Sequence, residues 1–415
     1  MKQDLFDRIE VLKEKTPAER IYDMRDLLHE AGDEAQKIRH LPEWAAKEMI
    51  NAGLYRFALP SELAGEDLLA RDQIEAVEAA SAIDGSVGWC IQINSEINAI
   101  ALRHADRKLA EKVFGDWHVI ISSGGGPPNG PNPGKKAKKE KNGWNITYQG
   151  SFASGCHNAT WDFVYDHNLG WENSPTGAAE AAWMVPKAEF EIIDTWDMAG
   201  LRGSGSHDVR MENLHIPSEH TVPYNWKEQE ILWENPTYRN PCHAYYNKAA
   251  VALGVARGTM DEFVKLATHK TPWGSGTLLK EQPEAYMRLA ESEANWMAAR
   301  AFLIESQEAI EEDLGPLSDK KDSANFEIQR CGFLSSTHAA QTCRHIVDTI
   351  HNTSGTTASR MNHPLERKLR DAHQAASHAL ISWRQYGNWG KTFLGGEPPG
   401  FGQNPLNAKN KPAKK

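Results

Sequence analysis

The chain has 415 residues, of which 40% are hydrophobic and 25% are charged, and its formal net charge is −10. That length and hydrophobic content suit a folded protein with large cores and exclude a disordered or fibrous class. The acidic balance argues against a nucleic-acid partner, because phosphate binding requires a basic surface. No run of about 18 apolar residues occurs, and the first residues lack an apolar core with a cleavage site, so we expect a cytoplasmic protein without membrane contact.

Neither the cysteines nor the lysines indicate a specific site. No CxxC pair and no HExxH motif is present, so we predict reduced, mostly buried thiols and no metal site. The lysine-rich segment 135–141 contains no interleaved aromatic residues, which favours a solvated loop over a binding patch. The cysteines are Cys90, Cys156, Cys242, Cys331 and Cys343.

The first part of the chain carries helical spacing. Apolar residues recur every three to four positions between residues 17 and 54, and Ile74, Val77 and Ala80 continue the pattern. We therefore predict an N-terminal helical domain over 1–118.

Residues 119–235 carry strand signals instead. Trp144, Ile146 and Tyr148 alternate with polar residues, which predicts a half-buried strand. Turn-like sequence such as 172–177 separates further candidate strands. Those candidates lie near 181–186, 190–193 and 209–217.

Helical spacing returns over 236–395, which we predict to be a C-terminal helical domain. Apolar periodicity marks helices around 251–267 and 289–304, and a third from 325 to 351 that ends near Gly355. The tail 396–415 is rich in Gly, Pro and Lys and is predicted to be an arm. The order of helices, strands and helices predicts an α+β class.

Three local segments agree with this order. They are GSFASGCHNATWDF at 150–163, GLRGSGSHDVRMENLHIP at 200–217, and SGTTASRMNHPLERKLRDAHQAASH at 354–378. In these segments the chain resembles the acyl-CoA dehydrogenase superfamily and, within it, the two-component flavin-dependent hydroxylases of phenols, polycyclic aromatics and sulfur heterocycles. The resemblance implies an N-terminal helical domain, a central barrel-like β-domain, a C-terminal four-helix bundle and a homotetramer.

A missing glutamate separates two branches of that superfamily. Many acyl-CoA dehydrogenases carry a catalytic glutamate shortly after the Arg-Asp pair, which here is Arg370-Asp371. The matching Tyr-Glu positions are His378 and Ala379. Without a carboxylate, removal of the α-proton of an acyl thioester has no evident base. The resemblance therefore implies a monooxygenase; a dehydrogenase or oxidase with its glutamate on another helix and an inactive binding protein remain the alternatives.

The resemblance implies two catalytic residues. His378 either deprotonates a phenol or donates a hydrogen bond to the oxygenated flavin. Ser154 hydrogen-bonds flavin N5, although the same serine is equally suited to capping a turn, and Ser151 competes for the role.

Further residues are implied to bind the cofactor. Arg202 and Ser204 belong to a turn that suits a flavin phosphate, and Arg257 either binds phosphate or stays a surface arginine. For Trp89 and Trp161, packing in the core is the alternative to cofactor binding. The full set is Trp89, Ser122, Ser154, Trp161, Arg202, Ser204, Arg257 and Thr356.

No GxGxxG fingerprint follows a predicted strand, so no NAD(P)H site is expected. A separate flavin reductase is therefore implied as a partner. The expected cofactor is reduced FMN or FAD, bound non-covalently, with O2 as co-substrate and a small aromatic or heteroaromatic compound as substrate. Arg367 and Arg370 are expected to form ion pairs with Glu366 and Asp371.

Overall fold

The computed structural model describes residues 3–126, 135–165, 170–171, 181–223, 231–319 and 323–398. The elements follow the predicted order of helices, strands and helices. The predicted turn at 172–177 and residues 399–415 of the predicted arm lie outside the described residues. No helix among the described residues is long and apolar enough to cross a membrane.

Seven helices are described before the first strand. Their bounds are α1 Gln3–Leu12, α2 Pro17–Asp23, α3 Arg25–Ile38, α4 Glu43–Asn51, α5 Ala70–Ile83, α6 Gly85–His104 and α7 Arg107–Phe114. Helix α6 is buried over nearly its whole length. It begins at a side-chain cap, because Asp84 Oδ1 accepts the backbone N–H groups of Ser86 (2.9 Å) and Val87 (3.1 Å).

The described strands form two sheets. Their bounds are β1 Ile121–Ser122, β2 Lys136–Glu140, β3 Gly143–Ala153, β4 Trp161–Val164, β5 Gly170–Trp171, β6 Ala181–Pro186, β7 Glu191–Ile193, β8 His207–Pro217 and β9 Thr221–Pro223. The strand orders are β1-β4-β6-β9 and β5-β2-β3-β8-β7. The predicted alternation in β3 is confirmed, since Trp144, Ile146 and Tyr148 are all buried.

The lysine-rich segment corrects one expectation. Lys136, Lys138 and Lys139 are solvated, as predicted, but they belong to strand β2 rather than to a loop. Ala137, between the lysines, is buried, and β2 pairs antiparallel with β3. Alternation along the strand turns the small apolar Ala137 inward, while the charged side chains on either side point to solvent.

The C-terminal helices are α8 His243–Ala267, α9 Pro283–Leu314, α10 Phe326–Thr353, α11 Pro364–Ala376 and α12 Arg384–Gly390. Helix α8 is almost fully buried and packs against α5, α6, α9, α10 and α11. The predicted end of the third helix is confirmed, because α10 ends at Thr353 and Gly355 follows with φ +62°. Four of the five cysteines are buried free thiols, as predicted, and Cys331 is exposed.

The start of α6 meets both of the other parts of the chain. The backbone N–H of Leu201 donates to Asp371 Oδ1 of α11 over 2.6 Å, and the N–H of Gly203 donates to Ser86 Oγ over 3.1 Å. A side chain at position 203 would lie 2.5 Å from the methyl group of Ala35, so the close approach requires glycine. Residues from all three parts therefore converge at this point.

One predicted ion pair is correct and another is wrong. Arg370 pairs with Glu366 over 2.7 Å, as expected. Arg367 instead pairs with Asp33 over 2.8 Å and lies 3.6 Å from Asp84. Both arginines also reach beyond α11, because Arg367 pairs with α3 and Arg370 donates to the carbonyl of Ala199.

Candidate active site

Three serine hydroxyl groups form a hydrogen-bonded chain near the start of α6, which we call the hydroxyl chain. Ser154 Oγ lies 2.6 Å from Ser206 Oγ, which lies 2.7 Å from Ser204 Oγ. The indole Nε1–H of Trp89 donates to Ser154 Oγ over 3.0 Å. Three hydroxyl groups carry three O–H donors, and the two bonds within the chain use only two of them. One O–H donor at an end of the chain is therefore available for a bound molecule.

An irregular backbone places Ser154 in this position. The pairing of β3 with β8 shifts register between Gly150 and Ala153, and Phe152 takes φ +66°. A positive φ is uncommon for a bulky residue, and such conformations concentrate at functional sites. The backbone N–H of Gly155 then donates to the carbonyl of Ser204 over 2.8 Å, which ties the Ser154 turn to the turn at the start of β8.

His378 reaches the same place from the opposite side. It lies in the turn after α11, with its ring centroid 5.6 Å from that of Trp89. Its Nδ1 accepts the backbone N–H of Leu380 over 3.2 Å. Burial, assisted by the positive charge of Lys248, lowers the pKa of His378 well below 6.5. The imidazole is therefore neutral near pH 7, and because Nδ1 accepts, the ring proton resides on Nε2.

Four of the predicted site residues thus form one connected group. Ser204, Ser154, Trp89 and His378 link the β-sheets, α6 and the turn after α11 through the contacts given above. Asn94 and Ser154 both line a small cavity next to this group.

Two further predicted residues lie in the strands next to this group. Ser122 donates its hydroxyl to Asp162 Oδ1 over 2.7 Å, which joins β1 to β4. Trp161 packs edge-on against His220, with ring centroids 5.2 Å apart. Both side chains have these partners within the protein, and their roles in cofactor binding stay predictions.

The remaining predicted cofactor residues make other contacts. Arg202 pairs with Asp197 over 2.6 Å and borders a surface cleft. Arg257 forms ion pairs with Glu293 (2.7 Å) and Asp261 (2.9 Å) on the outer side of α8. Thr356 is exposed in the turn after α10. The fold does not connect these three to the hydroxyl chain, and their cofactor roles also stay predictions.

Sequence reasoning missed three polar residues beside this group. Lys248 Nζ of α8 pairs with Glu96 Oε2 of α6, and their side chains are only 1% and 7% exposed. Gln92 of α6 is fully buried between Trp89 and Glu96 along the helix. The sequence signal that could have revealed them is Glu96, a charged residue in the otherwise uncharged stretch 85–102. It lies on the same helical face as Trp89.

The residues present fit a flavin ring. The group offers a spare hydroxyl donor, an imidazole N–H donor and an indole surface, all neutral and largely removed from solvent. A flavin presents ring nitrogens and carbonyl oxygens that take such donors, and its reactivity is tuned by hydrogen bonds of this kind. Among the described residues, no group of three or more His, Cys, Asp or Glu side chains is arranged to hold a metal ion.

Comparison with known proteins finds one matching family and several similar flavin-dependent monooxygenases. The family described as Acyl-CoA dehydrogenase, C-terminal domain, matches residues 246–383. An indole-3-acetate monooxygenase of Pseudomonas putida is 26% identical over 375 residues, covering 89% of this chain and 91% of that protein. The flavin-dependent monooxygenase oxygenase subunit HsaA of Mycobacterium tuberculosis is 25% identical over 366 residues, covering 85% and 89%.

A solved structure supports the same fold. XiaF from Streptomyces sp., in complex with FADH2 and glycerol, superposes with a TM-score of 0.82 at 18% identity and covers 94% of this chain and 98% of its own. At that identity the likeness establishes the fold. The described order of helices, strands and helices is thus shared with a protein that binds a reduced flavin.

Proposed function

We propose that the chain is an oxygenase component of a flavin-dependent monooxygenase, within the acyl-CoA dehydrogenase superfamily, and that it transfers one oxygen atom from O2 to an aromatic or heteroaromatic compound. The observation that carries this proposal is the neutral His378 next to Trp89 and the hydroxyl chain. His378 and Ala379 stand at the positions that match the Tyr-Glu pair of many dehydrogenases of this superfamily, so the catalytic carboxylate is missing there. The site can donate hydrogen bonds, and positions 378 and 379 supply no carboxylate as a base for acyl thioester oxidation.

Reduced flavin supplies two electrons, so that one oxygen atom enters the substrate and the other leaves as water. The chain's own contribution is positioning and water exclusion. Trp89 fixes the hydroxyl of Ser154 through its indole N–H, and the hydroxyl chain allows Ser154 to present its proton to the cofactor. The burial of these groups keeps water away from them, which prevents wasteful side reactions.

The geometry of the ring favours one of the two expected roles of His378. A base must present an unprotonated nitrogen, but Nδ1 already accepts the N–H of Leu380 and Nε2 carries the proton. His378 is therefore proposed to act as a hydrogen-bond donor towards the cofactor, when it is bound, or towards the substrate. Deprotonation of a phenol by this ring would require loss of the Leu380 contact and a change of tautomer.

Further parts of the proposal concern partners and assembly. The name of HsaA, an oxygenase subunit, implies a separate reductase for that protein, and we extend this arrangement to the present chain. The cofactor is proposed to be non-covalent FMN or FAD. A homotetramer in the cytoplasm, with the sheets forming a barrel-like domain and the last long helices a four-helix bundle, completes the proposal.

The test is a rapid-mixing experiment. The purified protein is incubated anaerobically with photoreduced FMN and, separately, with photoreduced FAD, and is then mixed with oxygenated buffer while absorbance is followed. A transient species that precedes oxidised flavin and persists for seconds supports the proposal and identifies the preferred flavin. Immediate reoxidation to free flavin and peroxide with both cofactors would contradict it. Bleaching of bound oxidised flavin by an acyl-CoA would favour the dehydrogenase instead.

A further inference from the structure

Helix α6 presents a polar side chain between two parts of the candidate site. Trp89, Gln92 and Glu96 follow one another at spacings of three and four residues, so they lie along one side of the helix. Trp89 contacts Ser154 and His378, and Glu96 pairs with Lys248. Gln92 therefore lies between the hydroxyl chain and the buried ion pair.

The amide of Gln92 is buried without a partner. Its side chain is fully buried, yet neither Oε1 nor Nε2 has a hydrogen bond among the described residues. Buried polar groups are nearly always hydrogen-bonded, because an unsatisfied one loses its hydration without compensation. Such a group in a folded protein requires an explanation, and a bound molecule provides one.

Gln73 of the neighbouring helix α5 is a buried glutamine whose amide has hydrogen-bond partners within the protein. It is as deeply buried as Gln92. Its Nε2 donates to the carbonyl of Leu68 over 2.7 Å, and its Oε1 accepts the hydroxyl of Tyr246 over 3.3 Å. The two glutamines have the same chemistry and burial, and they differ only in whether the protein supplies hydrogen-bond partners.

The surroundings of Gln92 carry no net charge. Lys248 is compensated by Glu96 and also donates to the carbonyl of Ala244 over 3.3 Å. Burial lowers the pKa of His243 to about 3, and that of His378 well below 6.5, so both imidazoles are neutral near pH 7. A ligand carboxylate at this position would lose its hydration without meeting an uncompensated positive charge, which is costly.

We propose that Gln92 is a specificity-determining residue that binds a neutral polar group of the aromatic substrate. A primary amide both donates and accepts hydrogen bonds. The matching group is one that does the same, such as a hydroxyl or a carboxamide, in preference to a carboxylate. The inference rests on the proposed monooxygenase function and specifies the class of substrate that the site takes.

The first test measures stability without any ligand. Gln92→Met keeps the length of the side chain and removes both amide atoms, so the midpoint of thermal unfolding should rise by about 2 °C or more. The matched control is Gln73→Met, which leaves the partners of Gln73 unsatisfied and should lower the midpoint. A Gln92→Met midpoint that falls as far as that of Gln73→Met would show that Gln92 is held by the fold, and the inference would be wrong.

The second test measures substrate discrimination with indole-3-acetamide and indole-3-acetate as probes, since the two differ only in the polar group. The wild-type protein should favour the amide in kcat/KM, and Gln92→Met should reduce that preference about tenfold, as expected for the loss of one good hydrogen bond. An unchanged ratio would overturn the inference.

Binding of the probes is measured in parallel through the unfolding midpoint, so that slow turnover does not obscure the result. Phenol and indole-3-acetamide should raise the unfolding midpoint of the wild-type protein more than that of Gln92→Met. If no neutral probe distinguishes the two proteins, the inference fails. The proposed monooxygenase function is tested separately, by the rapid-mixing experiment on the wild-type protein without any probe. Its failure can therefore be distinguished from failure of the inference about Gln92.

Discussion

Two polar clusters flank the start of α6, and they differ in charge. The hydroxyl chain, with Trp89, consists of neutral groups. The second, which we call the carboxylate cluster, consists of Asp84, Asp371 and Arg367. Asp84 caps α6 and Asp371 accepts the N–H of Leu201. The hydroxyl chain is part of the candidate site, whereas the carboxylate cluster connects different parts of the chain.

The two clusters also respond differently to pH. Burial, and secondly repulsion from Asp84, raise the pKa of Asp371 to about 7, against the opposing effects of the Leu201 N–H and Arg367. Serine and tryptophan do not titrate near neutral pH, and the pKa of His378 is far below it. Of the two clusters, therefore, only the carboxylate cluster contains a group whose pKa lies near 7.

The largest expected effect comes from breaking the carboxylate cluster. Arg367→Ala removes the guanidinium next to Asp84 and Asp371, and a buried charge without its partner is strongly destabilising. We expect the free energy of unfolding, measured by urea titration, to fall by about 3 kcal/mol. Arg71→Ala is the matched control, because its partner Glu308 is exposed and the loss should stay below about 1 kcal/mol. Equal losses in the two variants would contradict the structural role of the cluster.

The next effect concerns the neutral cluster. His378→Ala should leave folding and flavin binding intact and should lower the yield of oxygenated product about 100-fold, with release of hydrogen peroxide, because one donor to the reacting centre is lost. His378→Gln retains an N–H donor and should recover part of the product yield. Product and peroxide are measured together per flavin oxidised. Full coupled turnover in the alanine variant would contradict the assignment.

A third prediction concerns the pH dependence of the free energy of unfolding, to which Asp371 of the carboxylate cluster should contribute. The pKa of Asp371 is about 7 in the folded protein and 3.8 is its ordinary value. Its contribution to stability is therefore complete below pH 3.8 and is lost as pH rises through 7. Asp371→Asn removes this dependence while retaining an acceptor for the Leu201 N–H. Between pH 5 and pH 8 the wild-type protein should lose about 2 kcal/mol relative to the variant in denaturant titrations. Parallel pH profiles would refute the assignment.

The smallest effect is expected at Arg257, outside both clusters. Its ion pairs with Glu293 and Asp261 favour a structural surface role. Arg257→Gln should change the dissociation constant for reduced flavin less than about twofold, and unfolding free energy by less than about 1 kcal/mol. Tenfold weaker flavin binding, measured by anaerobic titration, would instead support the cofactor role predicted from the sequence.

Much of the architecture was predictable because secondary structure depends on local periodicity. The alternation that ends in Tyr148 predicted β3, and the three-to-four spacing predicted α10 nearly to its ends. The resemblance also identified Ser154 and His378, which the fold brings to the same indole ring of Trp89. The segment 135–141 was misjudged, since a single inward alanine in a lysine-rich segment is too weak a signal for a strand.

The sequence by itself determined the order of elements and the absence of the expected glutamate at position 379, because both depend on neighbouring residues. Only the tertiary structure decided which polar residues meet. Arg367 and Asp33, which form an ion pair, are more than 300 positions apart, and His378 and Trp89, whose rings are in contact, are more than 280 apart, so no local pattern reports such contacts. Whether a buried amide finds a partner, as Gln73 does and Gln92 does not, depends on the packing of distant helices. The same packing places the carboxylate cluster and the hydroxyl chain at different positions around the start of α6.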